Sequence, residues 1–259
     1  MHDSVTIGCY NDGLGKFREG YAIVAIDVIR ATTSAVTAVA RGRSCYVVPS
    51  LEKALLRAQS LNNPLLAGEL GGLMPSGFDM NNSPAEFDHD GRDLSRPIVL
   101  LSSSGTRLMC EASECQAAYV GCFRNYTALA DHLAGIHSAV AILGAATRGE
   151  FREEDQMCSA WIAAALLHAG YQPGDSQTLE IVERWRGASP DACLNGNSAA
   201  YLRRSRQLND LDFILSHIND LDTVFRIVNN EVLMMPQRSF SAQSLFKEAA
   251  SKTSPSVSA

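Results

Sequence analysis

The stretch AIVAIDVIRATTSAV, residues 22–36, decides the fold class of this chain. An apolar run over residues 21–26 ends at Asp27, and Arg30 follows just before a cluster of small and hydroxyl residues. This order predicts a buried strand that leads into a helix N-terminus. In open α/β sheets, such junctions bind anions and metal ions. The alternative interpretation is an aspartate that caps the helix and an arginine on the protein surface.

The same pattern continues along the chain, because apolar runs of strand length alternate with amphipathic segments of helix length. The predicted strands cover residues 5–10, 21–28, 44–48, 64–68, 97–102, 117–122 and 139–144. The predicted helices cover residues 33–41, 51–60, 105–112, 125–135 and 153–169. Strands that are apolar on both faces, with helices between them, predict an α/β fold with a largely parallel sheet sandwiched by helices.

The pattern changes beyond Gly170. Further elements are predicted there, namely helices at residues 189–206 and 210–218 and short strands at 223–228 and 232–235. They form either a cap or more of the same domain. We therefore predict one α/β domain over residues 1–238, with a smaller C-terminal extension of helices and strands from about residue 171. Residues 239–259, rich in Ser and Lys, cannot bury enough apolar surface to fold and are predicted to be disordered.

Composition limits the classes of function. The chain has 259 residues, 46% of them hydrophobic and 19% charged, which supplies enough apolar material for one large core. A formal net charge of −6 without a basic stripe argues against nucleic acid as a partner, although a few local cations suffice for a small phosphorylated anion. Neither a signal-peptide pattern nor an apolar run near the roughly 20 residues of a membrane span is found. We expect a cytoplasmic protein without membrane association.

Other familiar motifs are missing from the sequence. The seven cysteines are odd in number and form no CxxC pair, so reduced core thiols are a better interpretation than disulfides or a zinc site. The histidines lack HxxxH-type spacing, and neither a GxSxG elbow nor a GxGxxG loop opens a helix. The apolar content permits a homo-oligomer, although no segment identifies an interface.

Polar or glycine-rich clusters follow four predicted strands, and in an open α/β sheet these positions converge on one edge. The first holds Asp27, whose oxygens suit a hard cation such as magnesium, and Arg30, whose guanidinium suits phosphate. The second is the long loop LLAGELGGLMPSGFDMNNSP, residues 65–84, which begins with a short strand and Glu69. Long loops between core elements are often functional, although this one is also rich in turn-forming residues.

The third cluster is PIVLLSSSGTRLM, residues 97–109, in which a strand ends in hydroxyl residues ahead of a helix. Its N–H groups and hydroxyls can bind an anion, or the hydroxyls simply cap the helix. The fourth is ILGAATRGEFREEDQMCSAWIAAALL, residues 142–167, where Glu153, Glu154 and Asp155 open a long helix. These acids either bind a metal or interact favourably with the helix dipole.

These clusters, taken in order, resemble the 2-phosphosulfolactate phosphatase family. The matching pieces are AIDVIRATTSAVTAVARG (25–42), AGELGG (67–72), GFDMNNSPAEF (77–87), VLLSSSGTRL (99–108), GCFRNYTALA (121–130), GAATRGEFREED (144–155), and GNSAAYL (196–202) with the later MMP. Any one piece is weak evidence, but seven in register from about residue 20 to about residue 236 are specific.

The resemblance implies an α/β sandwich and a magnesium-dependent phosphatase that removes phosphate from 2-phospho-3-sulfolactate in coenzyme M biosynthesis. It makes Asp27, Glu69 and Asp155 the expected Mg²⁺ ligands, and these three with Arg30 the expected catalytic residues. The expected contacts to a small phosphorylated substrate are Arg30, Ser104, Gly105, Thr106, Arg107 and Arg124, with Asn82 and Ser83 shaping the loop over the site.

Three departures from the family's motifs bear on the substrate. Leu70 stands where a GERGG-like motif has arginine, Ser104 where a TNGTRA-like motif has asparagine, and Asn81 where a FDLGNSP-like motif has glycine. Loss of a cation at Leu70 could remove a contact to a second anionic group. Two alternatives therefore stay open: an anion-binding or regulatory homologue without turnover, and a lyase or transferase on the same scaffold.

Overall fold

Ten strands form one mixed sheet in the computed structural model, which describes residues 2–10 and 13–236. The strands are β1 (Ser4–Cys9), β2 (Ala22–Ile26), β3 (Cys45–Val48), β4 (Leu65–Gly68), β5 (Ile98–Leu101), β6 (Ala117–Gly121), β7 (Ala139–Gly144), β8 (Gln172–Pro173), β9 (Phe225–Val228) and β10 (Glu231–Met234). The predicted α/β class with a largely parallel sheet is confirmed. The tail predicted to be disordered, residues 239–259, lies outside the described residues.

The strand order is β4-β5-β3-β10-β9-β6-β2-β7-β1-β8. Neighbours within β4-β5-β3 are parallel, and so are neighbours within β6-β2-β7-β1-β8. The hairpin β9–β10 lies between these two groups and pairs antiparallel with β6 and β3. Its turn residues Asn229 and Asn230 have φ of 51° and 62°, as a two-residue hairpin turn requires. The predicted C-terminal strands thus lie inside the sheet.

The antiparallel hairpin makes the two parallel groups run in opposite directions. A flat sheet would therefore place the carboxyl ends of β2 and β5 at opposite edges, contrary to the single edge expected from the sequence. Sheets twist by about 20–25° per neighbouring pair, and five such steps separate β5 from β2. The accumulated twist explains how residues that follow both strands meet at one site, as described below.

Helices cover both faces of the sheet. They are α1 (Ala31–Ala40), α2 (Leu51–Gln59), α3 (Pro84–His89), α4 (Gly105–Ala112), α5 (Tyr126–Ala134), α6 (Glu153–His168), α7 (Ser176–Arg184), α8 (Asn197–Arg204) and α9 (Leu208–Ser216). Ile23 and Ala25 of β2 pack in the core formed by α1 and α4, whereas Val24 and Ile26 pack in the core formed by α5 and α6. This alternation is what a strand buried on both faces requires.

Some local predictions need correction. The predicted helix at 189–206 is divided into a 3₁₀ turn, Pro190–Asn195, and α8, with Gly196 between them. Ser50 caps α2 by accepting from the Lys53 N–H. Asn125 precedes α5, but its side chain accepts from Cys122 N–H and donates to the Val120 carbonyl instead of capping the helix.

Two further features concern the cysteines and the character of the helices. All seven cysteines are free thiols, and only Cys115 is not buried. In the described part of the chain, no helix combines the length and the apolar character needed to cross a membrane.

Candidate active site

A cavity of about 610 Å³ opens where the ends of several strands meet α8. Asp27 and Arg30 follow β2, Glu69 follows β4, and Ser104 follows β5. Arg148 and Arg152 follow β7, and Asn197 and Ser198 begin α8. The cavity therefore collects the first cluster predicted from the sequence in full and parts of the other three.

Asp27 lies at the floor of this cavity, between the N-termini of α1 and α4. Its Oδ1 accepts from the Ala31 N–H at 3.3 Å, and the Gly105 N–H also donates to this carboxylate. A Cβ at Gly105 would lie 2.2 Å from Asp27 Oδ2, so only glycine permits this approach. Burial raises the pKa of Asp27 to about 6, and the Ala31 N–H opposes this rise.

Arg30 borders the cavity but is itself buried. Its Nη1 forms an ion pair with Asp210 of α9, and its Nη2 donates to Asn81 Oδ1 at 3.3 Å. The sequence placed Arg30 at the site from its position beside Asp27. It placed Asp210 only in a helix, because no local pattern indicates a partner 180 residues away.

Glu69 lies at the cavity rim, where its carboxylate fixes the loop. It accepts from the Ser103 N–H at 2.7 Å, the Ser103 hydroxyl at 2.9 Å and the Gly72 N–H at 2.6 Å. These bonds connect the segment after β4 to the segment after β5. Both carboxylate oxygens of Glu69 thus accept hydrogen bonds from the loop. A metal-ligand role for Glu69 stays a prediction.

Asp155 and Glu154 are buried together behind the cavity wall. Asp155 Oδ1 accepts from the Val28 N–H at 2.8 Å, directly after Asp27. Burial, then the Glu154 and Asp27 charges, raise the pKa of Asp155 well above its usual range. Burial likewise raises the pKa of Glu154 to about 7, although a hydrogen bond with Ser198 opposes the shift. Among the described residues, Glu154 Oε2 has no hydrogen-bond partner.

The predicted anion contacts at the start of α4 are only partly on the cavity. Ser104 and Arg107 line it. Thr106 is buried and exchanges hydrogen bonds with Ser102, at 3.0 Å from its N–H and 2.9 Å to its Oγ1, so it builds the helix start. Gly105 acts through its N–H on Asp27.

The remaining predicted residues divide in the same way. Asn82 lines the cavity, and within the described ranges its buried Oδ1 has no hydrogen-bond partner. Ser83 caps α3 and donates to Asp210. Arg124 lies apart from the cavity, because its guanidinium contacts Asp220 at 3.0 and 2.6 Å and Thr37 at 2.9 Å. Its placement gives no support to the predicted anion contact.

Three further arginines line the cavity, and sequence reasoning missed them as site residues. They are Arg148, Arg152 and Arg204. Arg148 and Ala146 both have φ of 56°, a strained backbone that often marks functional loops. Arg152 pairs with Glu150, yet its buried Nε has no hydrogen-bond partner in the described structure. Arg148 and Arg152 lie in GAATRGEFREED and Arg204 lies at the end of α8, but arginine in a turn or a helix has no diagnostic spacing.

The oxygen donors at the cavity supply part of what a magnesium ion requires. Across residues 2–10 and 13–236, no three His, Cys, Asp or Glu side chains are grouped closely enough to hold a metal ion. Magnesium usually takes one or two carboxylates and keeps water and substrate oxygens as its other ligands. Asp27 on the cavity floor provides a carboxylate of this kind, and Asn82 in the cavity lining provides an amide oxygen that has no partner within the described structure. The residues present therefore fit a divalent ion, without a complete protein cage.

The fold and cavity together define an α/β protein with a polar cavity that is lined by Asp27 and several arginines. The family described as 2-phosphosulpholactate phosphatase matches residues 13–230. The chain belongs to the 2-phosphosulfolactate phosphatase family, and by this membership it is classed as a phosphoric monoester hydrolase.

Curated relatives are similar over most of the same region. A probable 2-phosphosulfolactate phosphatase of Carboxydothermus hydrogenoformans is 34% identical over 180 residues, 69% of this chain and 74% of the relative. One of Pseudothermotoga lettingae is 34% identical over 146 residues, 56% of this chain and 62% of the relative. One of Deinococcus radiodurans is 32% identical over 195 residues, 73% of this chain and 81% of the relative.

Proposed function

We propose that this chain is a magnesium-dependent phosphatase that hydrolyses a small phosphorylated hydroxy acid of the 2-phosphosulfolactate type. The observation that carries the proposal is the position of Asp27. It lies between two helix N-termini, beside Arg30, on the floor of a cavity with several arginines. Helix N-termini and arginines attract phosphate, and a carboxylate among them provides a ligand for the accompanying metal ion.

The arginines support a substrate with more than one anionic group. The phosphoryl group would lie near Arg30 and the start of α4. A second anionic group would then face Arg148, Arg152 and Arg204. Leu70 is 40% exposed, and the cavity lining includes its neighbours Glu69 and Gly71 instead. The departure at Leu70 therefore leaves the positive charge of this cavity in place.

The chain's own residues divide the chemistry as follows. Arg30 and the helix N–H groups stabilise charge on the phosphoryl oxygens, which is the main requirement of phosphoryl transfer. A carboxylate at the cavity that does not bind the metal ion would accept the proton of the attacking water. Bound magnesium would neutralise phosphoryl charge and hold it near Asp27. Water is favoured over Asp27 as nucleophile, because Ile29 stands where aspartyl-phosphate enzymes have a second aspartate.

A phosphate-release screen tests this function. Phosphorylated hydroxy acids with and without a sulfonate would be compared in the presence and absence of magnesium. We expect magnesium-dependent release by the wild-type protein and a loss of about a thousandfold or more in Asp27→Asn. The melting temperature of Asp27→Asn should not fall, because a buried charge is removed.

Other outcomes favour the alternatives. Phosphate binding without release from any substrate would indicate an anion-binding homologue. Consumption of substrate without free phosphate would indicate a lyase or transferase. An Asp27→Asn variant that loses stability but retains activity would show that Asp27 only caps helix α1.

A further inference from the structure

We propose that Asp210, on α9, is a positioning residue that fixes the guanidinium of Arg30 for contact with the substrate's anion. The inference rests on the proposed function, since it takes Arg30 as the anion-binding group. Asp210 is 3% exposed and Arg30 is 5% exposed, so their ion pair is shielded from water. Such a pair holds its geometry far better than one on the surface.

Both carboxylate oxygens of Asp210 are occupied, by groups from two separate segments. Oδ2 accepts from Arg30, after β2. Oδ1 accepts from the Ser83 hydroxyl and, at 3.3 Å, from the Ala85 N–H at the start of α3. Asp210 therefore cannot turn without breaking contacts to α3. The start of α3 serves as the support that holds the aspartate, and the aspartate holds the arginine.

The arginine is constrained on the side away from the cavity. Asp210 takes Nη1, and Asn81 takes Nη2 at 3.3 Å, while the same side chain borders the cavity. Because a guanidinium is planar, fixing both terminal nitrogens on one side fixes the direction of its remaining N–H groups.

A second argument concerns charge. A carboxylate beside Arg30 offsets part of the positive charge that would attract an anion. Attraction alone would therefore favour a neutral residue at Asp210. The carboxylate is explained if orientation matters more than net charge, since misplacing a binding group by about 1 Å can cost about a hundredfold in rate.

The test compares Asp210→Asn and Asp210→Glu with Asp212→Asn, a matched change at an exposed position of the same helix. The readouts are kcat, KM and the affinity for inorganic phosphate by titration calorimetry. We expect Asp210→Asn to lower kcat/KM and phosphate affinity by about 10- to 100-fold, Asp210→Glu to recover part of the loss, and Asp212→Asn to stay within about twofold.

A double-mutant cycle separates positioning from a structural role. If Asp210 acts through Arg30, adding Asp210→Asn to Arg30→Met, which removes the guanidinium, should cost less than about threefold further, because coupled residues are not additive. Full multiplication of the two losses would overturn the proposal. So would an Asp210→Asn protein with a lower melting temperature but unchanged kcat/KM and phosphate affinity. If Asp210→Asn does not fold, Ser83→Ala removes one support of Asp210 and should give a severalfold loss of the same kind, whose absence would overturn the proposal.

The result can be distinguished from failure of the proposed function. If wild-type protein binds phosphate but releases none from any substrate, the phosphatase proposal fails, and phosphate affinities of the variants still test Asp210. If the wild-type protein does not bind phosphate at all, both proposals fall.

Discussion

Helix α1 has a buried arginine beside each end, and the two differ in what their donors contact. Arg30 precedes the N-terminus and Arg43 follows the C-terminus, about 15 Å of helix apart. Each forms an ion pair with a buried aspartate, Arg30 with Asp210 and Arg43 with Asp90. By burial and pairing alone they are indistinguishable.

Both terminal nitrogens of Arg43 donate hydrogen bonds to the protein. Nη1 donates to the carbonyls of Asp93 at 2.7 Å and Arg96 at 3.1 Å. Nη2 donates to Asp90 at 2.8 Å and to the Arg92 carbonyl at 2.9 Å. Four acceptors from one irregular segment surround this guanidinium, and its role is to close that segment against the end of α1.

Arg30 has fewer protein acceptors and an open side. Asp210 and Asn81 contact it from behind, and it borders the cavity in front. A buried ion pair is therefore weak evidence for a functional site. Guanidinium N–H groups that face a cavity and do not bond to the protein are much stronger evidence. Substitution of Arg43 should therefore reduce stability, whereas substitution of Arg30 should reduce activity.

The largest effect is expected for Arg43→Met, and it should be on stability. The change leaves Asp90 and three carbonyls without their donor, so the free energy of unfolding should fall by about 3–5 kcal/mol. Urea denaturation measures this loss, and kcat/KM at low temperature should be unchanged. Arg41→Met, at an exposed position two residues earlier, is the control and should have little effect on either. A raised KM in Arg43→Met would make the two arginines alike after all.

Glu154→Gln sharpens the comparison by testing whether a buried carboxylate near the candidate site destabilises the folded protein when it is charged. The folded pKa of Glu154 is about 7, above its usual 4.5, so the folded protein holds this proton more tightly than the unfolded chain. Its contribution to stability is present below pH 4.5 and is lost as the pH rises to about 7.

Glu154→Gln should therefore be more stable than wild type at pH 8, by about 2–3 kcal/mol, with the difference vanishing near pH 4.5. Denaturation in the presence of a chelator at several pH values checks this. Glu153→Gln, at the less buried neighbouring position, should leave the pH dependence unchanged. A parallel shift at every pH would show that the pKa of Glu154 is the same in the folded and unfolded protein.

Arg30→Lys is expected to have a smaller effect, on function. Lysine keeps the charge and can still pair with Asp210, but it lacks the planar fork. We expect kcat/KM to fall by about 10- to 50-fold while the free energy of unfolding changes by less than about 1 kcal/mol. Steady-state kinetics and urea denaturation measure the two, with Arg41→Lys as control. Loss of stability without loss of rate would place Arg30 in the same category as Arg43.

Local sequence patterns predicted the parallel strands of the sheet and the part of the site that follows β2 and β5, and there is a physical reason for this. Strand and helix periodicity is a property of neighbouring residues, and Asp27 and Arg30 lie at a junction that such periodicity defines. The start of α4 was found in the same way. What local patterns could not predict was the antiparallel insertion of β9 and β10, which depends on pairing with strands more than 100 residues away.

The errors at the site follow from the same limit. Arg124 comes after a strand as Arg30 does, but the backbone of Asn219 and Leu221 covers the end of β6 and brings Asp220 to the guanidinium. Asp210 reaches Arg30 across the whole chain. Both outcomes depend on where the C-terminal segment packs, and no spacing within the N-terminal motifs records that.

The smallest effect tests a residue in which this chain differs from the family motif. Asn81 Oδ1 accepts from Arg30 at 3.3 Å, a long bond that supports the guanidinium beside Asp210. Asn81→Gly restores the residue usual in the motif and should raise KM for the phosphorylated substrate by about two- to fivefold with kcat little changed, since the weak hydrogen bond to Arg30 is lost along with the bond from the Asn82 N–H. Asn63→Gly, at an exposed position with φ of 46°, is the matched control. A KM below the wild-type value would show instead that Asn81 diverts an Arg30 donor from the substrate. Arg30 would then resemble Arg43, whose terminal nitrogens both donate to the protein.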